Sequence, residues 1–429
     1  MQTVIEKLRA GLSANAKIAA IEKKLLARLR SDIPLSQQQQ LKPLWYRERI
    51  ELVLRGKYYA VAPVNLELVP SLDCNYLCPH CTYNGWKKRT AAQQGQRQAS
   101  YSDLLRLLDR IEAAGVRGVT VTGGGEPLAN AKTIRALEYA AGKTFAVGLF
   151  TNGSLLNADS IGRLASLNLS FVRISINSGE ERSYLKFHGL KNPALFAAVR
   201  RNIALLGRAL HQSRTTYGLA VIVNEVNVDQ MASVAEFVRE LYEEHADFRL
   251  DYVTYRPVIN YGQIDSNLQN QITPDLVRKA LNNFQEAQAV LAGFPVSLKM
   301  AYDYFAAAGE ATQRFDRGYG ACIGNAWCGS VAYDGGLYLC SERDGNLSYL
   351  MGNLLQSPLD EIWASEQRAN VLKNIAGCPP ACKVHRFNQL LHDLLSEGAL
   401  HDLEIAELQS FLDVLRAAGE PDQLSFLSF

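Results

Sequence analysis

Three cysteines lie within eight consecutive positions in the first quarter of this chain of 429 residues. Cys74, Cys78 and Cys81 follow the pattern Cys-x-x-x-Cys-x-x-Cys, and His80 lies among them. Three thiolates on one loop can bind zinc, in which case His80 is the natural fourth ligand. They can equally hold an iron–sulfur cluster in which one iron has no protein ligand.

A glycine-rich segment favours the iron–sulfur alternative. Residues 122–127 have the sequence TGGGEP and follow the next predicted strand, so we expect them beside the cysteine loop. Gly124 and Gly125 let a ligand approach the backbone closely, and the carboxylate of Glu126 suits an ammonium group. An open iron beside a site for an amino-acid ammonium group indicates S-adenosylmethionine as the cofactor.

A second group of cysteines lies in the C-terminal part of the chain. Its members are Cys322, Cys328, Cys340, Cys378 and Cys382. A disulfide framework usually spreads through a small secreted chain, whereas these eight cysteines form two clusters in a long one. Metal ligation is therefore the preferred interpretation for both clusters. The segment Asp-Gly-Gly at 334–336 predicts a tight hairpin turn just before Cys340.

Alternating strand and helix patterns indicate how these residues are positioned. Strands are predicted at 64–70, 118–124, 145–153, 171–179, 217–224 and 248–255, with helices between them and a possible further strand at 296–300. Six βα units in succession imply a parallel sheet that curls into a partial barrel with the helices outside. Ligands of such sheets bind at the carboxyl ends of the strands. The cysteine loop, the glycine segment and the pair Ser175 and Asn177 all follow predicted strands.

Some residues near the end of the sixth strand have an ambiguous role. Tyr252, Tyr255 and Arg256 lie where a substrate could bind. Aromatic residues near a barrel mouth, however, more often belong to the core. His188 is similarly expected to serve local structure rather than catalysis.

The chain divides into five predicted regions. They are a helical extension (1–60), the barrel (61–260), a connecting region (261–320), a small auxiliary module (321–390) and C-terminal helices (391–429). A net charge of +2 and a pI near 8.0 give no electrostatic reason to expect binding to nucleic acid or to a membrane. No apolar run reaches the length of a membrane-spanning helix, and charges interrupt the N-terminal segment. We therefore expect a cytoplasmic protein.

In their order and context, these motifs resemble the radical S-adenosylmethionine superfamily. The resemblance covers most of the chain. It implies an α/β fold, a partial (β/α)6 TIM-like barrel with a small C-terminal SPASM or twitch-type domain for an auxiliary cluster and with helical extensions at both ends. It also implies that Cys74, Cys78 and Cys81 hold three irons of a [4Fe–4S] cluster. The fourth iron would bind the amino and carboxylate groups of S-adenosylmethionine.

The same resemblance implies roles for neighbouring residues. The turn ending at Glu126 would hold the ammonium group of the cofactor. His80 takes the position of an aromatic residue that usually packs near adenine. Ser175 and Asn177 match positions that bind the ribose hydroxyls or the methionine carboxylate, although many relatives have an aspartate where this chain has Asn177.

The resemblance also implies one auxiliary [4Fe–4S] cluster, because five cysteines cannot fully ligate two. Its expected ligands are Cys322, Cys340, Cys378 and Cys382, with zinc on the same four residues as the alternative. Cys328 is left over. It is either a small buried apolar residue, a further ligand near the cluster, or a catalytic thiol that returns a hydrogen atom to a substrate radical.

The implied activity is reductive cleavage of S-adenosylmethionine to a 5′-deoxyadenosyl radical, which abstracts a hydrogen atom from a peptide or a small natural-product intermediate. The net reaction is either oxidation or crosslinking of the substrate, or its epimerisation. A sugar, aminocyclitol or nucleoside substrate is the alternative, and a non-catalytic iron–sulfur scaffold is a further one. The implied electron donor is a flavodoxin- or ferredoxin-type protein.

Overall fold

The computed structural model describes residues 2–29, 38–60, 62–81, 97–259, 272–301, 305, 317–378 and 382–418. Ten strands within these residues form one sheet in the order β10-β9-β8-β1-β2-β3-β4-β5-β6-β7. The strands are β1 (Asn65–Leu68), β2 (Gly118–Val121), β3 (Ala146–Thr151), β4 (Phe171–Ser175), β5 (Thr216–Val223), β6 (Tyr252–Pro257), β7 (Ser297–Met300), β8 (Cys328–Val331), β9 (Gly336–Tyr338) and β10 (Leu350–Asn353). Strands β1 to β7 run parallel to their neighbours.

Helices cover one face of the parallel sheet and also lie near both ends of the described chain. In chain order they are α1 (Gln2–Ala10), α2 (Ala16–Arg28), α3 (Arg47–Leu54), α4 (Tyr101–Ala113), α5 (Thr133–Ala141), α6 (Ala158–Ser166), α7 (Glu181–His188), α8 (Ala194–Ala209), α9 (Met231–Glu244), α10 (Pro274–Val290), α11 (Leu359–Trp363), α12 (Glu366–Lys373), α13 (His385–Leu394) and α14 (Asp402–Ala418). Among the helices of the described residues, none has the length and apolar character that crossing a bilayer requires.

The two faces of the parallel sheet differ in chemistry. Residues that are paired in parallel register point to the same face, so the register sorts the side chains. One face carries buried apolar residues such as Val119, Leu149 and Val172, which pack in the main core with the helices. The opposite, inner face carries polar side chains, among them Glu67 and Arg173. The predicted fold class, an α/β partial barrel, is confirmed.

The C-terminal module continues the sheet of the barrel. Strand β8 pairs in parallel with β1, with Asn65 opposite Cys328 and Leu68 opposite Val331. Strands β9 and β10 then add to it in antiparallel orientation. The predicted hairpin turn joins β8 to β9, and Gly335 adopts a left-handed φ of +83° there. The module is therefore built directly onto the first strand of the barrel.

The two ends of the chain form a second core. Buried residues of α1, α2 and α3 pack with those of α13 and α14, and Trp327 of the auxiliary module joins the same cluster. The sequence predicts one helix across 36–56, but a 3₁₀ helix (Gln39–Trp45) precedes α3. Pro43 lies inside the 3₁₀ segment and cannot donate the backbone hydrogen bond of a continuous α-helix.

Two strand predictions change in detail. The possible strand at 296–300 is confirmed as β7, so the parallel series has a seventh member. The sixth strand begins at Tyr252 rather than at residue 248. Arg249 donates hydrogen bonds to the carbonyl oxygens of Leu210 and Ser213 and to the carboxylate of Asp251, which holds the preceding segment outside the ladder.

Candidate functional site

The first cysteine loop leaves the carboxyl end of β1. Cys74, Cys78 and Cys81 form no disulfide bond, and each is partly exposed. The loop is ordered by its own backbone, because the Tyr76 amide donates to the Cys74 sulfur at 3.4 Å and the Cys81 amide donates to the Cys78 carbonyl oxygen at 3.1 Å. Three thiols on one short loop are the donor set that an iron–sulfur cluster with an open iron requires.

The glycine turn after β2 is joined to this loop by backbone hydrogen bonds. The Gly125 amide donates to the Ser71 carbonyl oxygen at 3.0 Å, and the Glu126 amide donates to the Asp73 carbonyl oxygen at 2.8 Å. A Cβ atom at Gly125 would lie 2.0 Å from the oxygen of Asp73, so only glycine fits. The structure thus brings together the two motifs that the sequence predicts to be neighbours, and Gly124 is buried between Gly125 and the end of β2.

The carboxylate of Glu126 is buried and already hydrogen-bonded by the chain. Its Oε1 accepts from Thr151 Oγ1 at 2.6 Å and from the Leu128 amide at 3.1 Å, and its Oε2 accepts from the Asn152 amide at 2.7 Å. Burial raises the pKa of Glu126, and these three hydrogen bonds oppose the rise. Glu126 therefore fastens the end of β3 to the glycine turn. Its contact with a cofactor ammonium stays a prediction.

The two candidates after β4 differ in their surroundings. Ser175 is the last residue of β4 and is partly exposed on the inner face. Asn177 is buried, with a left-handed φ of +62°, and its Oδ1 accepts from the Ile222 amide at 2.7 Å. The Asn177 carbonyl oxygen also accepts from Asn227 Nδ2 at 2.8 Å. Asn177 thus joins the loop after β4 to β5, and a direct role in cofactor binding stays a prediction.

A histidine that the sequence analysis assigned to local structure contacts the cysteine loop. His188, the last residue of α7, places Nδ1 3.2 Å from Cys78 Sγ and Nε2 3.2 Å from the Ile176 carbonyl oxygen. If Nε2–H donates to Ile176, Nδ1 accepts from the Cys78 thiol. Burial lowers the pKa of His188 to about 4, so the ring is neutral. The separation of 110 residues explains why sequence reasoning missed this contact.

His80 packs beneath the same loop. Its ring centroid lies 4.2 Å from that of Phe187, and the side chain is buried. Burial, with smaller contributions from the nearby His188 and Arg256, lowers the pKa of His80 to about 3. A neutral, buried imidazole stacked on an aromatic ring matches the predicted role of an aromatic substitute, although contact with adenine stays a prediction.

The second group of thiols gathers between β8, β9 and α13. Burial, with a smaller contribution from the neighbouring thiol of Cys378, raises the pKa of Cys322 to about 11. Burial likewise raises the pKa of Cys340 and of Cys382, and each of these thiols also interacts electrostatically with Cys322. Asn388 Nδ2 donates to Cys322 Sγ at 3.5 Å. Four neighbouring free thiols from separate segments fit an auxiliary iron–sulfur cluster.

The remaining thiol, Cys328, is the first residue of β8 and is buried. Its sulfur lies 3.8 Å from the Gly324 carbonyl oxygen. Burial raises the pKa of Cys328 to about 12, while Lys383 opposes the rise. The register with Asn65 of β1 places it on the inner face of the sheet.

A largely buried ion pair connects the two modules. Lys383, which follows Cys382, lies 2.7 Å from Glu67 Oε1 of β1 and 3.7 Å from Glu342 Oε2. It also donates to Ser341 Oγ at 3.0 Å. Since Glu67 belongs to the barrel, this cluster of charges ties the segment carrying the second thiol group to the first strand. No sequence pattern pointed to this pair, because its members lie 316 residues apart.

The described residues hold no single-ion site: no three of their His, Cys, Asp or Glu side chains converge as one metal ion requires. Both thiol groups nevertheless supply the ligand chemistry of multi-iron clusters, whose irons bind one thiolate each.

Comparison with known proteins identifies both modules. The family model described as Radical SAM superfamily matches residues 68–238. The model described as Iron-sulfur cluster-binding domain, SPASM, matches residues 322–384. These two families imply a [4Fe–4S] cluster with S-adenosylmethionine in the barrel and an auxiliary iron–sulfur cluster in the C-terminal module, as the sequence predicts.

Curated relatives are distant. The AdoMet-dependent heme synthase of Methanosarcina barkeri is 21% identical over 74% of this chain and 86% of its own length. The mycofactocin maturase MftC of Mycobacterium ulcerans is 26% identical over 41% of this chain and 44% of its own length.

Solved structures share the fold. Streptococcus suis SuiB bound to its precursor peptide SuiA has a TM-score of 0.55 at 14% identity, covering 73% of this chain and 67% of SuiB. The enzyme anSMEcpe with bound AdoMet and the Cp18Cys peptide has a TM-score of 0.52 at 16% identity, covering 83% of this chain and 99% of that protein.

Proposed function

We propose that this chain, a member of the radical S-adenosylmethionine superfamily with a C-terminal SPASM domain, abstracts a hydrogen atom from a peptide or a small natural-product intermediate. The observation that carries the proposal is the junction of the cysteine loop after β1 with the glycine turn after β2. Similarity to a maturase and to a heme synthase supports a peptide or small-molecule substrate rather than a nucleic acid.

Particular side chains are proposed to bind the first cluster and S-adenosylmethionine. Cys74, Cys78 and Cys81 would hold the first cluster, and the turn ending at Glu126 would position the methionine ammonium. When bound, the cluster and S-adenosylmethionine supply a 5′-deoxyadenosyl radical that takes a hydrogen atom from the substrate. Ser175 on the inner face would help to orient the cofactor above the barrel interior.

The auxiliary module has a proposed role in electron transfer. Cys322, Cys340, Cys378 and Cys382 would hold one cluster, which can accept an electron when the substrate is oxidised and loses a proton. A flavodoxin- or ferredoxin-type protein in the cytoplasm would supply the electron that cleaves S-adenosylmethionine. The buried pair of Glu67 and Lys383 would keep the two modules in fixed relation.

The decisive experiment is anaerobic reconstitution of the full chain with iron and sulfide. Two clusters correspond to about eight irons and eight sulfides per chain. Addition of S-adenosylmethionine and dithionite should then produce 5′-deoxyadenosine, measured by mass spectrometry. A Cys74→Ala/Cys78→Ala/Cys81→Ala variant is the control and should form none. A fully loaded wild-type protein that forms no 5′-deoxyadenosine would refute the enzymatic proposal in favour of a scaffold.

Epimerisation is a second candidate, which would use Cys328, an inner-face thiol paired with the first residue of β1. In this reaction the Cys328 thiol would return a hydrogen atom to the substrate radical, and an external reductant would restore the thiol with one electron and one proton. Cys328→Ala should keep the iron content and 5′-deoxyadenosine formation but lose incorporation of solvent deuterium into the product. Loss of about four irons instead would make Cys328 a cluster ligand and exclude this role.

A further inference from the structure

The inner face of the barrel carries an arginine one layer below the candidate cofactor site. Register places Arg173 of β4 level with Phe150 of β3 and with Gly218 of β5. The guanidinium carbon lies 3.6 Å from the Phe150 ring centroid, so the cation lies over the aromatic face. Ser175 is two residues further along β4, which corresponds to roughly 7 Å at about 3.3 Å per residue.

Gly218 of β5 has no side chain, so Arg173 of β4 can approach a tyrosine on β6. Tyr252 of β6 is paired with Gly218, and a Cβ atom at Gly218 would lie 2.2 Å from the Tyr252 ring. The ring therefore lies across β5, and the Tyr252 side chain interacts electrostatically with Arg173. The polar atoms of Arg173 and Tyr252 thus lie together on the inner face, whereas Tyr255 of the same strand packs in the core.

Two further cations follow on the same face towards the mouth of the barrel. Lys299 of β7 places its Nζ 5.0 Å from the Tyr252 ring centroid, and register puts it level with Ser175 through Ala220 and Thr254. Arg256 of β6 is exposed one layer higher and interacts electrostatically with both Arg173 and His80. The positive charge therefore extends from the barrel interior to the cysteine loop.

Within the described part of the chain no carboxylate forms a close ion pair with these three cations, although Glu67 interacts electrostatically with Arg173. None of the ion pairs found among the described residues involves Arg173, Arg256 or Lys299. The inner-face carboxylate of Glu67 is bound by Lys383 at 2.7 Å. Burial, with a smaller contribution from Arg256, lowers the pKa of Arg173 to about 10, so a charged and partly desolvated guanidinium is retained at a free-energy cost.

We propose that Arg173, with Tyr252, Lys299 and Arg256, forms a subsite for a carboxylate group of the substrate. This inference rests on the proposed function, because the subsite lies directly below the candidate cofactor site. A guanidinium presents a planar fork that matches the two oxygens of a carboxylate, and the Tyr252 hydroxyl can donate a further hydrogen bond. A carboxylate held at Arg173 places carbons a few bonds away at the level of Ser175. The substrate is accordingly an organic acid or a peptide with an acidic group.

Binding of a simple polycarboxylate tests the subsite without knowledge of the substrate. The probe is propane-1,2,3-tricarboxylate, added to the reconstituted holoenzyme with S-adenosylmethionine in low-salt buffer, with the uncharged tricarboxamide as control ligand. We expect the acid but not the amide to bind in calorimetry, and Arg173→Met to weaken binding roughly tenfold or more. Arg173→Lys should lose part of this affinity, because the charge remains and the fork is lost.

A matched control and a second variant separate binding from folding. Arg201→Met removes an exposed arginine of α8 on the outer side and should bind the acid as wild type does. If Arg173→Met fails to fold, as judged by iron content and melting, Arg256→Met tests the exposed part of the subsite and should weaken binding severalfold. Equal affinity of wild type and of the folded variants, or no binding by wild type, overturns the proposal. Formation of 5′-deoxyadenosine by wild type is measured separately and decides the enzymatic proposal on its own.

Discussion

Replacement of Gly125 by alanine tests whether the glycine turn and the cysteine loop act as one unit. The added Cβ atom would lie 2.0 Å from the Asp73 oxygen and 2.6 Å from the carbonyl carbons of Leu72 and Asp73. Ordinary contacts between such atoms are about 3.5 Å, so the two segments must separate by more than about 1 Å. The neighbours are backbone atoms and cannot rotate away as a side chain would.

The cost has two parts. Overpacking of this kind typically costs about 1–3 kcal/mol. Separation also breaks or weakens the hydrogen bonds from Gly125 to Ser71 and from Glu126 to Asp73, each contributing about 1 kcal/mol. The sum is about 3–5 kcal/mol. At about 2–4 °C per kcal/mol for a large domain, the melting temperature falls by roughly 6–20 °C.

The assay compares Gly125→Ala with a substitution of the same kind in open space. A Cβ atom at Gly162, within α6, meets nothing within 4 Å, so Gly162→Ala should be neutral or stabilise by about 0.5–1 kcal/mol. Melting temperature, iron content and binding of S-adenosylmethionine are measured for both proteins. Gly125→Ala should lose affinity for S-adenosylmethionine as well as stability. Wild-type melting and cofactor binding in Gly125→Ala would refute the tight junction described above.

Three further predictions concern the auxiliary module. Lys383→Met leaves Glu67 without its cation and should lower the free energy of unfolding by about 3–5 kcal/mol. The double variant Lys383→Met/Glu67→Gln should recover part of this loss in thermal melts. A double variant no more stable than the single one would contradict the pairing. Burial raises the pKa of Asp344, so the stability associated with its protonated form is lost as pH rises through the raised pKa. Asp344→Asn does not titrate, and its melting temperature relative to wild type should therefore increase from pH 5 to pH 8; a constant difference would argue against a raised pKa. Cys382→Ser should reduce iron from about eight to about four per chain, and an unchanged iron content would remove Cys382 from the ligands.

Much of the architecture was accessible from the sequence because strand patterns and motif positions reinforce each other. Cys74 and Gly125 each follow a predicted strand, and parallel strands bring their carboxyl ends to one edge. The fold and the neighbourhood of the two motifs follow from that rule alone. The Gly335 turn was equally accessible, since its left-handed φ is one that glycine adopts without strain.

Contacts that depend on register were not accessible in the same way. His188 reaches Cys78 only because α7 ends next to the cysteine loop, and an isolated histidine near the end of a helix carries no signal of that contact. The meeting of Arg173 with Tyr252 depends on Gly218 lying between them. One sequence signal did point to Arg173. Side chains alternate along β4, so Arg173 lies on the same face as Ser175, a residue predicted to belong to the cofactor site.

The union of β8 with β1 has a consequence for any attempt to divide the protein. Cutting the chain before β8 would leave β1 with an unpaired edge of backbone donors and acceptors on the side that β8 covers. Such an edge is a template for pairing with a second copy, so a barrel expressed without the C-terminal module should self-associate. The strand that carries the first thiol loop is thus protected from aggregation by the module that carries the second group of thiols.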